Sequence, residues 1–166
     1  MMEYLKSKNL FIEGVAGTGK ANLVENMREW YNFTLIEPTT NSENQEKLFL
    51  SFIVMAEQYP SLIFKNLYLS TLEGVEQPKA SLWVYKQIPS EKNRFLLLEC
   101  DYDTALQRVD DKRKIKSKYN HELNANRISQ LVKILSDKNP EFYHRINTGD
   151  IGETQTIDEV LRFMSR

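Results

Sequence analysis

An apolar run that ends in closely spaced glycines and a lysine constrains this chain more than any other feature. Residues 9–20 read Asn-Leu-Phe-Ile-Glu-Gly-Val-Ala-Gly-Thr-Gly-Lys, with Gly14, Gly19 and Lys20 in the spacing G-x-x-x-x-G-K. Glycine tolerates backbone conformations that a Cβ disfavours, so such a turn can converge its amides on one anion. The residues before it read as a strand, and Leu23, Val24, Met27 and Tyr31 after it fall on one helical face. A helix that begins at about Gly19 aims its free N–H groups and its dipole into the same turn. The segment therefore predicts a phosphate cradle formed by Gly14, Val15, Ala16, Gly17, Thr18, Gly19, Lys20 and Ala21, with Lys20 as a point charge on the β- and γ-phosphates. A glycine-rich turn without a ligand is the alternative, and the strand before and helix after weigh against it.

One position departs from the pattern. A Ser or Thr hydroxyl normally follows the lysine and ligates the Mg2+ that bridges the β- and γ-phosphates, and here Ala21 stands there. A metal at this loop would have to be held by water, phosphate and carboxylates from elsewhere, or be held poorly.

The rest of the chain alternates strands and helices. Strand candidates are 9–13, 33–37, 62–65, 95–100 and 143–147, each short and close to turn or breaker residues. Between them, a helix over 43–58 is entered by Ser42 with Gln45 in capping-box spacing, and Pro60 breaks it. Its run Leu48, Phe49, Leu50, Phe52, Ile53, Val54 and Met55 is apolar on most sides, so it is expected to be largely buried. Shorter helical patterns cover 78–88 and begin near Asp103, which offers itself as an N-cap. A long helix is predicted over 122–136, and a last one capped by Thr156 turns Ile157, Val160, Leu161 and Met164 inward. Strands alternating with such helices predict one α/β domain over 1–166, a doubly wound, five-stranded parallel sheet with helices on both faces.

Composition narrows the function classes. The 166 residues are 41% hydrophobic and 27% charged with a formal charge of −1, a balance that asks for no polyanionic partner. The lone Cys100 cannot form an internal disulfide and reads as a buried small hydrophobe. No run approaches the length needed to span a bilayer, and residues 1–8 lack the apolar region of a signal peptide. A cytoplasmic protein is the expectation. His121 and His144 have no metal-ligand partners at motif spacing, and His144 reads as structural. Asp101 and Asp103 could ligate a metal, a role weighed below simple capping.

At residues 12–20, Ile-Glu-Gly-Val-Ala-Gly-Thr-Gly-Lys, the chain resembles the deoxynucleoside kinase and thymidylate kinase group of P-loop kinases, which open on E-G-x-x-G-x-G-K. Ala16 stands where thymidylate kinases usually carry Asp, so the deoxynucleoside kinase form fits better. Glu37-Pro38 is similar to the group's E-P element, whose glutamate lies near the phosphoryl-accepting hydroxyl, and the resemblance implies Glu37 as the base. A glutamate before proline as plain strand punctuation fits as well. Residues 62–70 are similar to the group's third strand, which normally ends in Asp-Arg or Glu-Arg. Lys65-Asn66 stand there instead, and Lys65 restores a charge without arginine's bidentate fork. Residues 97–108 are similar to the fourth strand and the helix that leads into a lid. That implies a lid-like segment at about 108–122, with Arg108 and Arg113 clamping the transferring phosphoryl group. The basic run 112–118 also fits a solvated helix end, and less well a nucleic-acid patch, since few aromatics beyond Tyr119 interleave it. Phe64, Tyr68, Trp83 and Tyr85 could stack a base, but core packing is the favoured reading.

The resemblance implies a phosphotransferase that uses ATP and Mg2+ on a nucleoside, nucleotide or similar small hydroxyl acceptor. Lys20 and the loop amides would hold the donor, Glu37 would position or deprotonate the acceptor, and Arg108 and Arg113 would neutralise transition-state charge. A nucleotide-binding module with lost or weak transfer is the alternative, and a small NTPase a weaker one. No membrane or nucleic-acid partner is expected, and a homodimer is left open.

Overall fold

The computed structural model describes residues 5, 7–37, 45–66, 91–109, 115, 117–137 and 139–166. In chain order the elements are β1 (Asn9–Glu13), α1 (Lys20–Tyr31), β2 (Thr34–Ile36), α2 (Gln45–Gln58), β3 (Leu62–Lys65), β4 (Asn93–Glu99), α3 (Tyr102–Arg108), α4 (Lys118–Ser136), a 3-10 turn at Pro140–Phe142, β5 (Tyr143–Asn147) and α5 (Glu153–Met164). The strands form one sheet in the order β2-β3-β1-β4-β5, and every pairing is parallel. This is the doubly wound α/β architecture that the strand–helix alternation predicts.

The two faces follow from the period of two along each strand. Phe11, Leu62, Phe64, Phe95, Leu97 and Tyr143 point to one face and pack with Phe52 and Ala56 of α2 and Ile128 and Val132 of α4. Leu10, Ile12, Ile63, Leu96, Leu98 and Ile146 point to the other, against Leu23, Val24 and Met27 of α1 and Val160 and Met164 of α5. The central strands are buried on both sides, so they read as unbroken apolar runs. Phe64 is a core residue, stacked on Phe11 with ring centroids 4.5 Å apart. At the amino-terminal edge of the sheet the buried Asn9 ties three elements together. Its Nδ2 donates to Ala56 O at 2.7 Å and to Asn93 Oδ1 at 3.1 Å, and its Oδ1 accepts from Leu62 N at 2.9 Å.

Several local expectations are corrected. The outer face of α2 is not buried, with Leu50 and Val54 exposed opposite Phe52 and Ala56, because only one side of the helix meets the sheet. The N-cap of α3 is Asp101 rather than Asp103. Asp101 Oδ1 accepts from Thr104 N at 2.9 Å and Oδ2 from Thr104 Oγ1 at 2.7 Å, bonds that hold its carboxyl below the usual range. Helix α5 begins at Glu153 after Gly152, and Thr156 lies inside its first turn with Oγ1 donating to Gly152 O at 3.0 Å. Helix α4 starts at Lys118, capped by Ser117, four residues earlier than its apolar stripe suggests. The helical pattern at 78–88 and the aromatics Tyr68, Trp83 and Tyr85 lie outside the described residues. No helix among the described residues is long and apolar enough to cross a membrane.

Strand order directs attention to one edge. The chain leaves β1 toward β2 on one side, and the later crossover from β3 carries it past β1 to β4 on the other. Ligands of open α/β sheets bind beyond the carboxyl ends of the strands at such a reversal. The register puts Ile12 opposite Lys65, Glu13 opposite Leu97, and Glu99 opposite Asn147. The segments that start at Gly14, Asn66, Cys100 and Thr148 therefore emerge together.

Candidate functional site

The glycine loop is the centre of that edge. Gly14, Gly17 and Gly19 all have positive φ, at 152°, 83° and 85°. Gly17 needs its missing Cβ twice over, since a methyl there would lie 2.6 Å from Ala105 Cα and 2.6 Å from Ala105 O. The loop can sit on α3 at that distance only because the residue is glycine. The buried Thr18 closes the turn, its Oγ1 donating to Val15 O at 2.9 Å. From below, Cys100 Sγ approaches Gly17 O at 3.6 Å, and burial pushes that thiol up rather than activating it.

Helix α1 begins at Lys20 with Gly19 as its cap and no side-chain cap bond. The first N–H groups of a helix have no acceptor inside it, so this uncapped end offers donors and a positive dipole to the loop's concave side. Lys20 is buried, with Nζ donating to Gly14 O at 2.5 Å, Val15 O at 2.6 Å and Thr18 Oγ1 at 3.2 Å. Desolvation is the largest influence on this ammonium, ahead of attraction from the buried Glu13, repulsion from Lys65 and attraction from Cys100, and its pKa is pushed down from 10.5 to about 8.

That shift makes a testable statement about the fold itself. In the unfolded chain Lys20 keeps its ordinary pKa, so between about pH 8 and 10.5 the unfolded state binds the extra proton and stability rises with pH. From pH 7 to pH 9 this group is expected to add about 1 kcal/mol to the unfolding free energy. Denaturant unfolding of the wild type and a Lys20→Met variant at both pH values checks it. The gain should be missing from the variant, and an equal change in both would refute the assignment to Lys20.

Further segments wall the site on either side. Thr148 follows β5, with its amide donating to Glu99 O at 2.8 Å and its Oγ1 lying 3.1 Å from both Thr18 O and Glu99 O. Arg108, at the end of α3, grips the same residue, Nη1 to Thr148 Oγ1 at 3.0 Å and Nη2 to Thr148 O at 2.7 Å. On the other side, Lys65 ends β3 with Nζ 2.6 Å from Glu37 Oε1, while Glu37 itself is half exposed beyond β2. Asn66 takes a left-handed conformation at φ 58°, its amide donating to Ile12 O at 2.9 Å, and its Oδ1 is buried with no partner.

Together these elements enclose a cleft of about 550 Å³, lined by residues 16–23 together with Lys65, Asn66, Arg108, Val109, Thr148, Ile151, Glu153, Thr156 and Ile157. Lys20, Ala21 and Arg108 thus share one cleft, and Glu37 reaches it only through Lys65. Arg113 lies outside the described residues, as does most of the segment between Arg108 and Lys118. From Lys118 the chain is helix α4. The histidines are structural in their contacts. His144 lies 3.7 Å from Glu159 and stacks on Phe163, and the buried His121 meets the ring of Tyr102 edge-on. Sequence reasoning missed Thr148 and Ile151. A Thr-Gly-Asp turn directly after the last strand was the available signal, since it must emerge at the same edge as the glycine loop.

No family model matches the chain, and no curated protein is similar to it in sequence. Solved structures are similar in fold. The YorR protein from Bacillus subtilis, in complex with phosphorylated GDP, superposes with a TM-score of 0.63 at 15% identity, covering 93% of this chain and 94% of its own. Thymidylate kinase from Candida albicans gives 0.58 at 13% identity over 96% and 91% of the two chains. Deoxyadenosine kinase from M. mycoides with bound dATP gives 0.57 at 13% identity over 95% and 100%. A parallel five-stranded sheet in this order, a glycine loop from its central strand, and these likenesses together establish that the chain has the P-loop kinase-like fold.

Proposed function

We propose that the chain is an ATP-dependent phosphotransferase acting on a nucleoside, nucleotide or similar small hydroxyl compound. The observation that carries this is Lys20, whose ammonium is buried beside the uncapped end of α1 and lines a cleft large enough for a nucleotide. A desolvated cation next to free helix amides is a poor structural choice and a good anion site. In this reading the loop amides and Lys20 hold the donor phosphates. Arg108 neutralises charge on the transferring group, and the base rests against Val109, Ile151 and Ile157 of the same cleft. Arg113, outside the described residues, would act with Arg108. The acceptor oxygen attacks the γ-phosphorus, the bond to the ADP oxygen breaks, and Glu37 takes the hydroxyl proton.

The donor is expected to travel with Mg2+, which would lower the charge repulsion between phosphates. This chain's residues fit such an ion poorly. Ala21 has no side-chain oxygen to offer, and no group of three His, Cys, Asp or Glu side chains able to hold a metal occurs among the described residues.

A second reading, a nucleotide-binding module with little transfer, is favoured by two observations. Glu37 is tied to Lys65 at 2.6 Å, and no hydroxyl follows Lys20. Incubation with γ-labelled ATP, Mg2+ and pools of nucleosides and nucleoside monophosphates separates the readings, with an Ala21→Ser variant alongside. Label is expected on one acceptor class. Nucleotide binding without transfer by either protein would refute the phosphotransferase and leave the binding module.

A further inference from the structure

We propose that Lys65, rather than a divalent cation, supplies the second positive charge that a polyphosphate meets at this loop, so that nucleotide binding here does not require a metal. The inference rests on the reading of the cleft as a nucleotide site and concerns how that site is neutralised.

A divalent ion at such a loop needs oxygen ligands, ordinarily a hydroxyl after the lysine and a strand-end carboxylate, with phosphate and water completing the set. The hydroxyl is absent at Ala21. Most of the carboxylates described at this edge already accept a hydrogen bond or pair with a cation. Glu99 is held by Arg145, with Arg145 Nη2 2.9 Å from Oε2 and Nε at 3.1 Å. Asp101 caps α3 through both oxygens. Asp150 accepts from Asn147 Nδ2 at 2.6 Å and Glu153 from Asn26 Nδ2 at 3.1 Å. Glu37 is paired with Lys65. Glu13 is buried, and its charge offsets that of Lys20. Asn66 Oδ1 is buried without a partner, but one neutral amide oxygen does not replace a hydroxyl and a carboxylate.

What the cleft does contain is a second ammonium. Lys65 ends β3, the strand beside β1, and lines the same cleft as Lys20 and Ala21. It lies close enough to Lys20 that its charge helps to lower the pKa of that residue. Its Nζ has three donors, and the bond to Glu37 engages one of them. The remaining donors can meet phosphate oxygen while Glu37 stays attached. Two like charges held close together are costly until an anion lies between them, so both favour a bound polyphosphate.

Isothermal titration of ATP into the full chain, in excess EDTA and again in Mg2+, tests this. The wild type is expected to bind with constants that agree within about threefold in the two conditions, a difference under 1 kcal/mol. Lys65→Met should weaken binding in EDTA by about tenfold or more, the usual effect of losing a charge-assisted bond, while Lys65→Arg retains most of it. Ala21→Ser should gain affinity in Mg2+ only. Wild-type binding that vanishes in EDTA and returns with Mg2+ would overturn the proposal and leave the nucleotide site intact. So would a Lys65→Met variant, folded by circular dichroism, that binds like wild type in EDTA. No binding in either condition would overturn the nucleotide reading beneath it, and the proposal with it.

Discussion

ATP affinity is expected to fall by about two orders of magnitude or more when Lys20 is replaced by methionine, with no loss in stability of the unliganded fold. The two halves of this expectation have the same physical origin. Lys20 is buried against loop carbonyls, and its pKa of about 8 records that the folded chain disfavours the ammonium. Relative to an ordinary lysine, holding that charge at neutral pH costs the fold about 3 kcal/mol. Methionine fills nearly the same volume without the charge, although it leaves Gly14 O and Val15 O without their donor. The opposing changes roughly cancel in the free protein. In the proposed nucleotide complex nothing would cancel, because the phosphate would lose the ammonium expected to meet it. Titration calorimetry and thermal melting of the same preparation check both halves. A variant that melts much lower, or binds ATP as wild type does, would show that Lys20 is a structural lysine.

A large effect on stability is expected at Gly17. Its φ of 83° is unfavourable for any residue with a Cβ, and that Cβ would lie 2.6–2.7 Å from the backbone and side chain of Ala105. Left-handed strain of about 1–2 kcal/mol and overpacking of about 1–3 kcal/mol therefore add in Gly17→Ala. For a chain of this length the sum corresponds to a fall in Tm of about 10 °C. Gly19→Ala is the matched control. Its φ is 85°, nearly the same, but a methyl there meets nothing within 4 Å. The expected cost is about 1 kcal/mol. Equal melting temperatures for the two variants would mean that contact with α3 does not position the loop.

Residues 9–31 were legible because their signals are local. An apolar strand, glycines free of Cβ restraint and an amphipathic helix each follow from neighbours in sequence, and together they place the loop at the carboxyl edge of a parallel sheet. The five strands were legible for the same reason, although β2 proved shorter and β4 longer than their apolar runs. Caps were less so. Asp101 and Asp103 both precede the same apolar positions, and only the backbone geometry selects Asp101. For α2, apolar residues on most sides predicted burial, yet a helix on the outside of a sheet has one partner, which leaves Leu50 and Val54 exposed.

The candidate site divides along the same line. Residue type and short-range spacing were enough to read the α/β architecture, the glycine loop with its lysine, and the missing hydroxyl at Ala21. Long-range packing added that Arg108 is held on Thr148, 40 residues away, that Lys65 engages Glu37 across the ends of β2 and β3, and that Glu99 and Asp101 are engaged by Arg145 and Thr104. Such pairings join residues distant in the chain, and they come into contact only when parallel strands align their carboxyl ends, which no local pattern encodes.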